Sequence, residues 1–288
     1  MTNPETLRRN IEKDLRSEKD LVTLVPVVKR VREIAANPNF SGEEMAEAIR
    51  SDSVLTAKVL RMVNSASFAL ERKVTDVEQA IVMLGCEKLG HLCAGIMMAG
   101  VMTSRPCVRE FDRVGLWKHS LGTAVAARHI QRTFAPDDKL DLFTAGLLCN
   151  IGRIILEQRC PEEFGQAFRL AQEKGLFLLE AERRTLGATH AEVGAWAAEA
   201  WRLGGALGQA IRLHHGPVGS KTTDLLNLAY TLAHACRIGH PGDPKLLPLL
   251  PGILKRLAID EAALDDLVQA LNKEFAALEP VFRFLETT

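Results

Sequence analysis

"LLCNIGRIIL", Leu147 to Leu156, sets two polar-capable side chains, Cys149 and Asn150, side by side in a run of leucine and isoleucine. Adjacent residues on a helix point about 100° apart, so one regular helix cannot aim both side chains at the same place. The pair is therefore either a variant of a metal-binding dyad or ordinary packing in a helical core.

The surroundings of this stretch predict an all-α protein. Apolar residues recur at intervals of three and four along most of the 288 residues, with little period-two alternation. The spacing predicts one helix over 140–158 holding the quoted stretch. Gly152 inside it costs about 1 kcal/mol relative to alanine, which marks a place where a neighbour needs room. Upstream, a long helix is expected over 110–134, and the small residues of "HSLGTAVAARH", His119 to His129, allow close approach of other helices. Downstream, helices are expected at 162–174, 178–184, 190–203, 207–213 and 224–238. Thr189 and Glu192 have the spacing of a capping box.

The first third reads the same way. A charged amphipathic helix is expected over 4–17, and another begins near Pro26 with Val27, Val28, Val31 and Ile34 as its buried stripe. Ser41 with Glu44, and Thr75 with Glu78, have capping-box spacing. Ser53 opens a helix that runs into "NSASF", Asn64 to Phe68, and Gly85 stops a short one before a helix over 87–102. Pro106 in "SRPCVREFDRV" marks a boundary, and "GHPGDP", Gly239 to Pro244, reads as a linker. The expected organisation is an N-terminal helical subdomain at 1–106, a helical domain at 107–240 and a C-terminal helical extension at 241–288.

Composition narrows the function classes. Hydrophobic residues make up 47% of the chain, and Lys+Arg and Asp+Glu both total 36, so no global field draws it to polyanions. Local basic runs such as "VVKRVR" at Val27 to Arg32 are interspersed with acids nearby. Only one tyrosine is available for base stacking, so solvated helix faces explain these charges and a nucleic-acid partner is not expected. None of the six cysteines forms a CxxC, which disfavours a zinc ribbon or a thioredoxin-like site. The apolar run Cys93 to Met102 is too short to span a bilayer, and no secretory signal pattern is present, so a cytoplasmic protein without membrane insertion is expected. There is no dinucleotide fingerprint, P-loop or nucleophile elbow.

Eight histidines remain, among them His119, His190, His214 and His215 in helical contexts. Imidazoles and carboxylates gathered from several helices are how a bundle builds a divalent-metal site. The acids are informative by absence, since only Asp141 and Glu157 flank the Cys149–Asn150 stretch, and "LLNLAYTLAHAC" carries Tyr230 at its centre. A hydrolytic metal needs its charge partly balanced and an open position for water. Neutral Asn replaces a carboxylate poorly, whereas a Cys thiolate can ligate zinc. If packing is the explanation, Asn150 is buried and hydrogen-bonded.

Residues 21–237 resemble the HDOD domain, a helical signalling domain related to HD-family metal phosphohydrolases. The resemblance is carried by "LVTLVPVV" at Leu21 to Val28, "IRSDSVLTAKVLRMVNSASF" at Ile49 to Phe68 and "VTDVEQAIVMLG" at Val74 to Gly85. It continues in "LWKHS" at Leu116 to Ser120, "FTAGLLCNIGRIIL" at Phe143 to Leu156, "GATHAEVGAWAAEAW" at Gly187 to Trp201 and "AIRLHH" at Ala210 to His215. Ser53 stands where the family usually has proline.

The resemblance implies an N-terminal helical subdomain packed on an HD-like bundle. It also implies that His119, Cys149, Asn150 and Tyr230 occupy the four metal-ligand positions of the hydrolytic relatives, with only His119 conserved in type. His190, His214 and His215 match further histidines, for which structural hydrogen bonding is the first expectation and contact with a metal or phosphate the alternative. Asn64 and Ser65 belong to a structural motif that staples a helix end. The implied function is a noncatalytic bacterial signalling module acting through contacts with a partner protein, with no cofactor and no metal expected. The cleft between subdomains is then the natural regulatory surface. The competing expectations are a residual metal-dependent phosphohydrolase and a sensor of a nucleotide or other small ligand without turnover.

Overall fold

The structure, a computed structural model, describes residues 4–17, 41–65, 68, 73–102, 106–138, 140–216, 220–276, 278–279 and 282–283. Among the described residues there are only helices and no strand, as the three-and-four spacing requires. The helix expected from Pro26 lies outside the described residues. The chain divides into two compact units, one made of residues 19–102 with 277–288, the other of 1–18 with 103–276. The N-terminal helix and residues 241–276 thus belong with the helices around Cys149 and Asn150.

In the smaller unit, α2 (Gly42–Arg50), α3 (Ser53–Val63), α4 (Val77–Leu84) and α5 (Cys86–Met102) pack on one another. The Ser41–Glu44 capping box forms, with Ser41 Oγ accepting from the Glu44 backbone and the Glu44 carboxylate accepting from Ser41. Ser53 opens α3 as its first residue, with Asp52 as the cap, whereas the second box is displaced by one residue: Asp76 caps α4, so the pair is Asp76 with Gln79 and not Thr75 with Glu78. Aspartate in an extended conformation meets the N2 and N3 amides directly, and this local bond wins over the Thr75 spacing. Asn64 ends α3: its amide donates to the carbonyls of Leu60 and Val74 at 2.8 and 2.7 Å and accepts from Val74 N at 2.7 Å. Gly85, at φ +79°, lets α5 leave α4 at a sharp bend. Among the described residues no single helix is long and apolar enough to cross a membrane.

The larger unit is built on α6 (Arg113–Phe134), which is buried along most of its length because Gly115, Gly122 and a run of alanines bring neighbours close. Against it lie α7 (Leu142–Leu148) and α13 (Lys221–Ala235). The single helix expected over 140–158 is two, α7 and α8 (Ile151–Arg159), broken at Cys149 and Asn150. The apolar period runs through the break unchanged, which is why spacing alone joins the halves. α9 (Pro161–Lys174) and α10 (Leu178–Leu186) pair with each other, and α11 (His190–Ala200) packs on α8 and on α12 (Gly205–Leu213). α1 (Pro4–Ser17) buries Leu7 and Ile11 against α11, with Arg8 stacked over Trp196 and bonded to Glu199 at 2.9 Å. A one-turn α14 (Ile253–Arg256) and α15 (Glu261–Ala276) complete the unit, α15 packing on α6.

Two features of this unit position the site. The first is the contact between α8 and α11: a Cβ at Gly152 would stand 2.0 Å from the His190 carbonyl oxygen and 2.8 Å from Gly194 N. The second is the segment 239–244, which is not a free linker. Gly239, at φ +64°, lies where a Cβ would meet Gly115 O at 2.2 Å, and His240 N donates to that same carbonyl at 2.9 Å. Replacing Gly152 by alanine forces two backbones apart, so Gly152→Ala is expected to lower unfolding stability by about 1–3 kcal/mol. Chemical denaturation measures this, and an unchanged midpoint would contradict the contact.

Candidate functional site: a buried histidine and arginine cluster

The residues singled out in the larger unit converge in its interior. α11 begins with the Thr189–Glu192 capping box, which fixes the backbone at His190. Glu182, on α10, accepts from the His190 backbone amide at 2.8 Å and lies 2.7 Å from His190 Nδ1. His214 caps the end of α12, and its Nδ1 donates to the Ile211 carbonyl at 2.6 Å. His215 follows, half-buried, with Nε2 3.1 Å from His190 Nε2. With Nδ1 of His190 and of His214 engaged, the ligand atoms of the three rings lie within 4.8 Å of one another.

Tyr230, fully buried on α13, joins this group to His119. Its ring meets His119 and His215 edge-on, both at 4.6 Å between centroids. Asn227, one turn earlier on α13, donates to the His214 carbonyl at 2.9 Å. Cys149 and Asn150 sit buried at the break between α7 and α8. The Cys149 thiol donates to Gly146 O at 3.1 Å, and Asn150 Nδ2 points to Cys149 Sγ at 3.5 Å. Asn150 Oδ1 meets no hydrogen-bonding partner in the protein, so the amide is buried but only half satisfied. Asn64 and Ser65 belong to the other unit, where Asn64 ties a helix end to Val74.

Three charged residues that the sequence reading passed over complete the cluster: Arg153, Asp243 and Glu182. Arg153 lies within the quoted stretch, one turn after Asn150, and is fully buried. Its Nη2 bonds Asp243 Oδ2 at 2.7 Å, and Asp243 Oδ1 accepts from Leu178 N at 2.9 Å. Arg153 Nε and Nη1 make no hydrogen bond of ordinary geometry, although the Tyr230 hydroxyl lies beside the guanidinium. A lone basic residue in an apolar run was the available signal for Arg153. Asp243 sits in a turn-like sequence and Glu182 among surface-like charges, and neither announces its burial.

The electrostatics follow from burial around one fixed cation. Burial first, and then Arg153, depress the proton affinity of His190, and both act on His119, His214 and His215 in the same direction. His214 is pushed down to about 4. Burial pushes the Cys149 thiol up to about 12 and raises the Tyr230 hydroxyl well above its usual range. Glu182 is pushed up to about 8 by burial, against the opposing pull of Arg153. The contact between Glu182 and His190 is accordingly a hydrogen bond between neutral groups near pH 7, not an ion pair.

The pH dependence of stability follows from these directions. Folded Glu182 keeps, up to about 8, a proton that the unfolded chain releases near 4.5, so this group lowers stability as pH rises between those values. The imidazoles oppose it, because below 6.5 the unfolded chain takes up protons that the folded cluster refuses, in the case of His214 down to about 4. In the acid range His119, His190, His214 and His215 together outweigh one carboxyl. Thermal stability is expected to fall on acidification below 6.5 and to decline more gently between 6.5 and about 8. Glu182→Gln should abolish the alkaline decline and keep the acid one. An alkaline limb identical in both proteins would contradict the raised Glu182.

Residues 21–217 match the family model of the HDOD domain. The chain is 24% identical over 199 residues to an uncharacterized protein of Treponema pallidum (strain Nichols), covering 68% of this chain and 38% of that protein's length. An HDOD domain protein of unknown function from Geobacter sulfurreducens superposes with a TM-score of 0.71 at 24% identity, over 90% of this chain and 91% of that one. A candidate signal transduction protein from Marinobacter aquaeolei VT8 gives 0.72 at 18% identity, over 99% and 67% of the two chains. A candidate phosphohydrolase from Shewanella amazonensis SB2B gives 0.60 at 22%, over 90% and 91%. At these identities the solved structures support the fold alone.

Proposed function

Because this chain belongs to the HDOD domain family, we propose that it is a noncatalytic regulatory module that passes a signal through contact with a partner protein. The observation that most supports this reading is the Arg153 guanidinium, buried among the histidines and acting on each of them. A hydrolytic divalent cation needs anionic ligands to offset its charge and an open position for activated water. Neither acid of the hydrolytic set is present: Asn150 is an amide that cannot ionise, Tyr230 a phenol that burial holds well above its usual range, and burial raises the neighbouring Cys149 thiol in the metal-free protein. Of the two buried carboxyls beside them, Asp243 is balanced by Arg153 and Glu182 is held neutral against His190. The hydrolytic metal centre of the HD relatives does not fit this set of residues.

One observation favours the second reading, a residual metal-dependent phosphohydrolase: His190, His214 and His215 offer three ligand atoms within 4.8 Å, and Glu182 orients His190 as metal-bound imidazoles are oriented. The two readings separate in one experiment. Protein purified without added metal is subjected to elemental analysis and then to a hydrolysis screen of nucleotides and cyclic dinucleotides with zinc, manganese and iron(II) supplied. The regulatory reading expects metal well below one equivalent and no turnover above the His190→Ala variant. One equivalent of metal together with turnover that His190→Ala abolishes would overturn it.

A further inference from the structure

The contact between Arg153 and Asp243 has features of a ligand contact made by the chain itself. Arg153 offers a rigid fork of donors suited to a carboxylate, yet only Nη2 bonds Asp243, at Oδ2 and 2.7 Å, while Nε and Nη1, fully buried, make no hydrogen bond of ordinary geometry and have the Tyr230 hydroxyl beside them. The other carboxylate oxygen is held by a backbone amide, Leu178 N at 2.9 Å. A planar carboxylate is thus gripped by one guanidinium and one peptide N–H, a donor set suited to carboxylates as a class.

The segment that delivers Asp243 is irregular backbone, seated on α6 at Gly239 and His240. Residues 236–252 form no helix, and left-handed backbone at Arg237, Gly239 and Gly242 lets the chain turn sharply inward and out again. Pro241, Gly242 and Asp243 are buried, Pro244 is half-buried, and Lys245 and Leu246 after it are exposed. The backbone hydrogen bonds of 239–243 are few: His240 N to Gly115 O, and Gly242 N to the His240 ring. Withdrawing Asp243 therefore melts no helix, but it leaves a buried guanidinium without its counter-ion, a state that only another anion relieves.

We propose that Arg153 and Leu178 N form a carboxylate-binding site, that Asp243 is its tethered occupant, and that a small free carboxylate taking the site releases the 239–244 strap. This rests on the reading of the domain as a regulatory module and gives that module a ligand class. The strap then becomes the element whose release a partner protein can read.

The test is chemical rescue in the full chain. Asp243→Ala removes the tethered carboxylate, and formate, acetate, phosphate and chloride are titrated at matched ionic strength while thermal stability and calorimetric binding are followed. The expected result is saturable stabilisation by formate, with affinity about tenfold or more above that of the wild type, and no comparable response to phosphate or chloride. Equal formate response in the two proteins, or a preference for phosphate, overturns the proposal. Should Asp243→Ala not fold, Asp243→Asn keeps the side-chain shape and the Leu178 contact, and hydrogen exchange over 239–244 replaces the readout. The strap amides should exchange about tenfold faster than in the wild type, and acetate should accelerate the same amides in the wild-type protein. Unchanged exchange in both cases overturns the proposal. Turnover in the hydrolysis screen would defeat the regulatory reading, whereas a variant indifferent to carboxylates defeats this inference alone.

Discussion

The buried ion pair of Arg153 and Asp243 is the constraint around which the larger unit is arranged. Arg153 comes from α8, Asp243 from the turn after α13, and the Leu178 amide that shares the carboxylate begins α10. Three separate parts of the chain meet there at zero exposure. Such a pair adds little net stability compared with apolar packing, but breaking it by losing one partner is severe, of order 3–5 kcal/mol. The pair therefore acts mainly as a registration device: unless α8, α10 and the turn are all in place, a full charge stands unpaired in the interior.

The histidines read differently once that cation is in view. In a pocket prepared for a metal, imidazoles and carboxylates share an unfilled positive charge. Here the positive charge is supplied by a side chain, and burial keeps its neighbours neutral: the thiol of Cys149, the phenol of Tyr230 and the carboxyl of Glu182 against the pull of Arg153, and the four imidazoles with its help. Edge-on ring contacts from His119 through Tyr230 to His215 and the hydrogen bond from His215 to His190 then pack as a polar core. The break at Cys149 and Asn150 belongs to the same arrangement, since it separates α7, which faces α6, from α8, which faces α11.

What was legible in the sequence was what is local. The Ser41–Glu44 and Thr189–Glu192 boxes are properties of four consecutive residues, and both formed. Gly152 was read as a place needing room, and the His190 carbonyl occupies that room. The meeting of His119, Cys149, Asn150, His190, His214, His215 and Tyr230 in one unit was reachable only through the family resemblance, because helical period fixes a face and not the neighbour across it. The helix break escaped because the apolar pattern continues through it. Asp243 escaped for the same kind of reason: its partner is 90 residues away in sequence, and a Gly- and Pro-rich turn carries no mark of whether it ends in solvent or in the core.

The position of that turn bears on where this domain ends. The family match stops at residue 217, yet Tyr230 and Asp243, which complete the interior around Arg153, lie beyond it. A fragment trimmed at the family limit would keep all the recognised motifs and lose both the aromatic ring and the counter-charge they enclose. The physical boundary is drawn by charge neutrality inside the fold, and it extends at least to Asp243.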